Sequence, residues 1–266
     1  MKKIPLILIF AISLIACKNT SEEKISETDL NGPIETLDGG EATKEKGFTI
    51  NPVEHASMVL NWDGTIIYVD PVGGKDAYNN YSQADMVLVT DIHSDHMDIP
   101  TLEAIIADKT VLFAPKAVFD KLPENLQNKT QILNNGEVTN DFEMTIEAIP
   151  MYNLRTEALK FHEKGRGNGY ILERKGKRIY ISGDTEDIPE MRNLKNIDIA
   201  FVCMNLPYTM TVEKAAEAVL AFKPKTVYPY HYRGKDGMSD VEKFKSLVEA
   251  GNPQIKVTQL DWYPKK

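Results

Sequence analysis

The stretch Val89-Thr90-Asp91-Ile92-His93-Ser94-Asp95-His96 decides the reading of this chain. Two histidines and two aspartates fall within six positions, directly after the apolar run from Met86 to Val89. A run of that length reads as a buried strand. The C-terminal end of such a strand is where α/β proteins place ligands. Imidazole and carboxylate donors together suit Zn²⁺, or a harder ion such as Mn²⁺ or Fe²⁺. A polar turn with a helix cap would account for one histidine and one aspartate, not for all four donors.

Further along the chain, His55, His162 and His231 also follow strand-like segments or sit in loops punctuated by Gly and Pro. None lies on a helical face, and together the five histidines favour one site. Asp184 lies in Ile181-Ser182-Gly183-Asp184-Thr185, just after an apolar strand. A carboxylate there can bridge two cations or, more simply, make an Asx turn or helix cap. His231 follows Val227-Tyr228-Pro229-Tyr230, again at a strand end. Asp70 ends another strand, where it either orients the metal loop as a hydrogen-bond acceptor or only forms the turn before Pro71.

The chain has 266 residues, 42% hydrophobic and 26% charged, an ordinary composition for a globular core. Lys2 and Lys3 precede an apolar stretch, Ile4 to Leu14, and Leu14-Ile15-Ala16-Cys17 closes it. The stretch is too short to span a membrane and its flanks suit a signal peptide. Its end resembles the lipobox of bacterial lipoproteins. The expectation is a signal peptide over 1–16, lipid on Cys17 with a polar tether over 17–46, and a folded domain over 47–266. The chain would be exported and membrane-anchored through that lipid, on the periplasmic or cell-surface face. Without Lys2 and Lys3, 29 basic residues stand against 39 acidic ones. A chain this acidic repels nucleic acid, so no nucleic-acid partner is expected. Cys203, in an apolar run, reads as a buried strand residue, and no intrachain disulfide is expected.

The elements follow from pattern. Phe48–Ile50 reads as a strand, and Ser57–Trp62 and Thr65–Val69 as a hairpin about Asp63-Gly64. Helical patterns cover Ile99–Ala107 and Lys116–Leu122, with strands at Val111–Phe113 and Gln131–Leu133. Glu137–Ile149 reads as strand broken at Asn140. The second half repeats the theme, with strands Gly169–Arg174, Arg178–Ile181, Ile197–Val202 and Thr226–Tyr230. Its helices are Val212–Phe222, capped by Thr211, and Val241–Glu249. Strands open each half and strand–helix alternation closes it. That predicts an α/β (α+β) fold of two facing β-sheets with outer helices, built from two similar halves.

The series Asp70, Thr90–His96, Gly183-Asp184 and His231 resembles the metallo-β-lactamase superfamily, from about Gly47 onward. More narrowly, His55-Ala56-Ser57, Tyr68-Val69-Asp70-Pro71, Ser182-Gly183-Asp184-Thr185 and His231 resemble one branch. It contains ascorbate-6-phosphate lactonase-like and N-acylphosphatidylethanolamine phospholipase D-like proteins. The resemblance implies an αββα sandwich, with one ion on Asp95, His96 and His231 and Asp184 bridging to a second ion that His93 also holds. Two departures stand out. The family motif is His-x-His-x-Asp-His, and its first histidine is Asp91 here. The region that supplies another histidine, Ile149 to Asn153, has none. Asp91 then puts a carboxylate in place of an imidazole, and Asn153 or His162 could add a contact. Zn²⁺ is the expected cofactor, one ion or two; extra oxygen donors favour Mn²⁺ or Fe²⁺. For His55 the roles of ligand, proton shuttle, substrate contact and hydrogen-bonded loop anchor all stand open.

The run His162-Glu163-Lys164-Gly165-Arg166-Gly167-Asn168-Gly169 reads as a loop whose glycines let backbone approach a ligand. Lys164, Arg166, Arg155 and Asn153 are the candidates for binding an anionic substrate; the plainer alternative is a solvated hairpin loop. The function expected is metal-dependent hydrolysis of a lactone, amide or phosphodiester in a small or lipid-like molecule. A metal-bound hydroxide would be the nucleophile, positioned by Asp95 and Asp184, with His55 or His162 protonating the leaving group. Asp91 and the missing histidine raise a second reading, a metal-containing binding protein of the same fold with reduced or lost catalysis.

Overall fold

Two-residue turns set the hairpins, three of them alike in backbone. Asp63-Gly64, Phe142-Glu143 and Lys175-Gly176 all hold positive φ at both positions, the twist that matches antiparallel strands. The structure, a computed structural model, describes residues 43–45 and 47–264. The leader, Cys17 and most of the tether lie outside the described residues.

Two seven-stranded sheets result. In the first, Thr43–Glu45, Phe48–Glu54, Ser57–Trp62 and Thr65–Val69 run antiparallel. Met86–Leu88, Val111–Ala114 and Thr130–Ile132 then continue the sheet in parallel. The second repeats this scheme. Val138–Asp141, Met144–Met151, Gly167–Arg174 and Lys177–Ile181 are antiparallel. Ile199–Cys203, Thr226–Tyr230 and Lys256–Val257 extend it in parallel. The similar halves expected from the sequence are thus two copies of one strand scheme.

Strand periodicity distributes the core, because alternate side chains point to opposite faces. Met58, Leu60, Ile67, Val69, Met86 and Leu88 share one apolar cluster with Ile146, Tyr170, Leu172 and Ile181 of the second sheet. Their neighbours Val59, Tyr68 and Val87 fall in another cluster, with Leu102, Val118 and Leu126 of the helical segments. On the second sheet the covering helices are Val212–Phe222 and Val241–Gly251. Thr211 and Asp240 cap them by accepting the N–H of Lys214 and Lys243, as N-cap side chains do.

Several boundaries differ from expectation. The strand from Phe48 runs on through Pro52 to Glu54. Its first residues pair with Thr43–Glu45, but that partner ends before Pro52 is reached, so a missing N–H is tolerated there. The break placed at Asn140 is the turn at Phe142-Glu143. Lys116–Leu122 reduces to Lys116–Phe119, because Pro123 starts a separate turn, Glu124–Gln127. The glycine-rich run after Arg166 is no loop: Gly167 opens a buried strand. A Cβ at Gly169 would lie 2.8 Å from the carbonyl oxygens of Ile181 and Ser182, so glycine serves close backbone packing there.

Arg174 ties the sheets together. It is buried (5% exposed) and donates to the Trp62 carbonyl and the Thr65 hydroxyl on the first sheet and to the Phe142 carbonyl on its own. Arg174→Met keeps the stem but strands these acceptors, each worth about 1 kcal/mol or more when left unmet. We expect a loss of about 3 kcal/mol, read as a lower urea midpoint at unchanged slope. An unchanged midpoint would show that the clamp carries no stability.

Candidate metal centre

The parallel strands of both sheets end along one edge, and the chemistry sits in the turns beyond them. The turn after Val69 presents Asp70, fully buried and at φ 43°. One Asp70 oxygen accepts the Thr90 N–H at 2.7 Å. The other accepts the Thr90 hydroxyl at 2.7 Å and His96 Nδ1 at 2.8 Å. A carboxylate that takes the Nδ1 proton leaves His96 Nε2 as a lone pair. The role of orienting acceptor, rather than a bare pre-proline turn, is therefore the one Asp70 occupies.

Two donor groups form around Asp184. In the first, His96 Nε2 and His231 Nε2 lie 3.1 Å apart. Asp184 Oδ2 is 3.4 Å from His96 Nε2, and Asp184 Oδ1 is 3.2 Å from His231 Nε2. Asp95 comes within 3.5 Å of His231 and 3.9 Å of His96. In the second, Asp91 Oδ2 lies 2.6 Å from His93 Nδ1 and 3.9 Å from His162 Nε2, which is 3.2 Å from Asp184 Oδ2. His162 Nδ1 sits 3.2 Å from the Tyr208 carbonyl, which fixes its proton there and leaves Nε2 as the inward lone pair. The residues fit a cation on this geometry. Two imidazole nitrogens face each other at 3.1 Å, and the buried Asp184 Oδ1 has no hydrogen-bond donor among the described residues. His55, Asp95 and His231 form a further close trio.

A β-lactamase superfamily domain matches residues 49–231. The chain belongs to the β-lactamase superfamily. A metal-dependent hydrolase of Pyrococcus abyssi is 30% identical over 73% of this chain and 89% of its own length. One of Staphylococcus saprophyticus is 28% identical over 75% and 93%. A crystal structure described as a metal-dependent hydrolase, from Parabacteroides distasonis, is 38% identical with a TM-score of 0.74, covering 84% of this chain and 99% of that one. A metallo hydrolase of Ignicoccus hospitalis, 22% identical with a TM-score of 0.66 over 80% and 94%, shares the fold. The chain is thus a metal-dependent hydrolase of this superfamily, with two facing sheets as expected, and its histidines and aspartates are the groups that could bind the metal.

Of Asn153 and His162, the two residues offered as a further contact, His162 is the one whose ring joins a donor group, with Asp91 and His93. The loop after Met151 leaves and returns, closed where the Asn153 N–H meets the His162 carbonyl at 2.9 Å. The four residues expected to bind substrate all have partners within the protein. Asn153 Nδ2 donates to the carbonyls of Ala158 and Tyr208. Arg155 is bound by Glu186 at 2.6 Å and by the carbonyls of Pro207 and Thr209. Lys164 pairs with Glu190 at 2.8 Å and lies over the Tyr152 ring. Arg166 forks onto Asp91, Nε to Oδ1 at 3.1 Å and Nη2 to Oδ2 at 3.0 Å. Tyr208, Glu186, Glu190 and Asp91 lie far away in sequence, so residue type alone suggested a ligand.

Electrostatics explain the charge states. Burial opposes a charge on His96, but Asp184, Asp70 and Asp95 together raise its pKa well above the ordinary value. Burial would raise Asp184 and Asp95, but His231 and His96 outweigh it at Asp184, and His96, His231 and His55 outweigh it at Asp95; both end below the usual carboxylate range. For Asp91 the His93 hydrogen bond and the charges of His96, His93 and Arg166 likewise overcome burial. Burial lowers His55. Gly183 makes the Asp184 turn possible, with φ 60° and a Cβ that would lie 2.6 Å from Met151 Sδ.

A proton on His96 competes with a cation. Below its raised pKa that competition grows, so metal affinity falls as pH falls and binding releases protons. Calorimetric titration of metal-free protein with Zn²⁺, in buffers of different ionisation enthalpy, measures both; a pH-independent affinity would contradict this. Asp70→Asn removes the oxygen that fixes the His96 tautomer and should weaken metal binding by about 10–100-fold, measured against a chromophoric chelator.

Proposed function

We propose that the chain hydrolyses a carbonyl substrate, a lactone or amide, in preference to a phosphodiester. One observation carries the reading: the Asp184 carboxylate forks between two donor groups, Oδ1 toward His231 and Oδ2 toward His96 and His162. Asp91, His93, His162 and Asp184 would hold one divalent ion and Asp95, His96, His231 and Asp184 another. A bound ion supplies Lewis acidity and lowers the pKa of water. The side chains of Asp95 and His93 are the open members, 43% and 40% exposed, so substrate approaches over them. Asp95 is held ionised there and accepts hydrogen bonds from an attacking water. The preference for a carbonyl group rests on charge. Arg155, Lys164 and Arg166 are each paired with a carboxylate, so these three offer no clamp to a phosphate, whereas a neutral ester or amide needs none.

The test is a panel of lactones, anilides and bis-(p-nitrophenyl) phosphate, run with metal-loaded protein, chelated protein and His96→Ala. Lactone or amide turnover should dominate and fall at least about 10³-fold in kcat/KM in the variant. Faster phosphodiester cleavage would overturn the substrate assignment. Zn²⁺ is the ion we propose on the donor set.

We also propose that the mature protein is a lipoprotein, exported and anchored through Cys17, on the strength of Leu14-Ile15-Ala16-Cys17. Cys17→Ala should move the protein from the membrane to the soluble fraction on cell fractionation; retention in the membrane would refute the anchor. No helix among the described residues is long and apolar enough to cross a membrane.

A further inference from the structure

His55 lies beside the metal ligands with its role open, and the residue that decides it is at the other end of the chain. Its ring centroid lies 3.9 Å from that of His231, the planes tilted by 54°, and its Nε2 is 3.4 Å from Asp95 Oδ2. On distance alone it is a third ligand with Asp95 and His231. Its other nitrogen, Nδ1, lies 2.7 Å from the hydroxyl of Tyr263.

Hydrogen counting around that hydroxyl settles which nitrogen carries a proton. The phenolic oxygen accepts two backbone N–H groups, from Tyr232 at 3.0 Å and Arg233 at 2.9 Å. These use both of its lone pairs. Its remaining capacity is its own O–H, and the polar atom within reach is His55 Nδ1. The hydroxyl therefore donates and Nδ1 accepts. An imidazole accepting at Nδ1 carries its hydrogen at Nε2. Nε2–H then points at Asp95 and has no lone pair to give a cation. The reverse tautomer would press a third N–H onto the phenolic oxygen and leave the Tyr263 O–H without an acceptor.

We infer that Tyr263 locks His55 as an Nε2–H donor that positions Asp95, so that His55 is a positioning residue and not a metal ligand. The lock is built into the backbone. His55 sits at φ 58° in the turn between Phe48–Glu54 and Ser57–Trp62. Its N–H donates to the Trp262 carbonyl at 2.9 Å, and its own carbonyl accepts the His231 N–H at 3.3 Å. The C-terminal Trp262-Tyr263 segment thus holds both the main chain and the ring of His55. With Oδ2 engaged by His55, Asp95 Oδ1 is the oxygen that faces His96, at 3.9 Å, and Asp95 is directed to offer one oxygen to the metal.

The assignment of His55 toward a metal rests on the metal-dependent reading, but its tautomer does not, and the test separates them. Full-length protein labelled with ¹⁵N-histidine is examined by long-range ¹H–¹⁵N correlation, first metal-free and then loaded with Zn²⁺. The result expected is a His55 with Nε2 protonated and Nδ1 bare in both states, with the tautomer preference lost in Tyr263→Phe. Co²⁺-loaded protein gives the second readout: the visible d–d spectrum should be the same in wild type and His55→Gln, which keeps an N–H donor. His55→Ala should weaken Zn²⁺ binding by about tenfold, and His55→Gln should restore most of it. An unprotonated, metal-shifted Nε2 in the loaded protein, or a Co²⁺ spectrum altered by His55→Gln, would overturn the inference. Protein that takes up no metal would sink the hydrolase reading while the metal-free spectrum still decides the tautomer. Should Tyr263→Phe not fold, the wild-type spectra decide it alone.

Discussion

The site depends on a buried carboxylate with every oxygen in use. Asp70 accepts the Thr90 N–H, the Thr90 hydroxyl and His96 Nδ1. Burial pushes its pKa up, so its charge is tolerable only because these donors surround it. That cluster fastens the end of one strand to the loop after the next. It also turns His96 so that Nε2 faces Asp184. The same device recurs with a different acceptor at His162, where the Tyr208 carbonyl takes the proton. In both cases the nitrogen that faces inward is set by what lies behind the ring.

Much of this was legible because it is local. Hydrophobic runs ending in Asp or His gave Asp70, the Thr90–His96 loop, Asp184 and His231, since a strand's side chains alternate and its end is fixed by the sheet. The Asp63-Gly64 turn placed a hairpin, and Thr211 placed a helix start to the residue. What escaped was long-range pairing. Arg155 and Lys164 look like ligand-binding cations until Glu186 and Glu190 are brought beside them. Tyr263, in the aromatic pair Trp262-Tyr263, carries no signal toward a site in the sequence, yet its hydroxyl reaches His55, 208 residues away along the chain. His162 was visible as a candidate, but only closure of the loop at Asn153 gives it a position.

Asp91 and Arg166 are best understood together. The first motif position of the superfamily is a neutral imidazole, and a carboxylate there adds a negative charge beside Asp184. The guanidinium, forked onto both Asp91 oxygens, adds the opposite charge and holds the carboxylate in one plane. The pair as a whole is neutral, as the imidazole is. The substitution that looked like erosion of the site therefore comes with its own compensation, contributed by the strand-opening segment 75 residues away.

The doubling of the strand scheme has a consequence for assembly. One repeat contributes Asp70, Asp91, His93, Asp95 and His96, and the other contributes His162, Asp184 and His231. Neither holds a complete set for either donor group. On the ligand sets proposed above, a growing or partly folded chain has no complete cation position until Asp184 has joined the second sheet and the two repeats have docked, and the group that needs His231 waits for a later strand. An ion held on those sets would bridge the seam between the repeats.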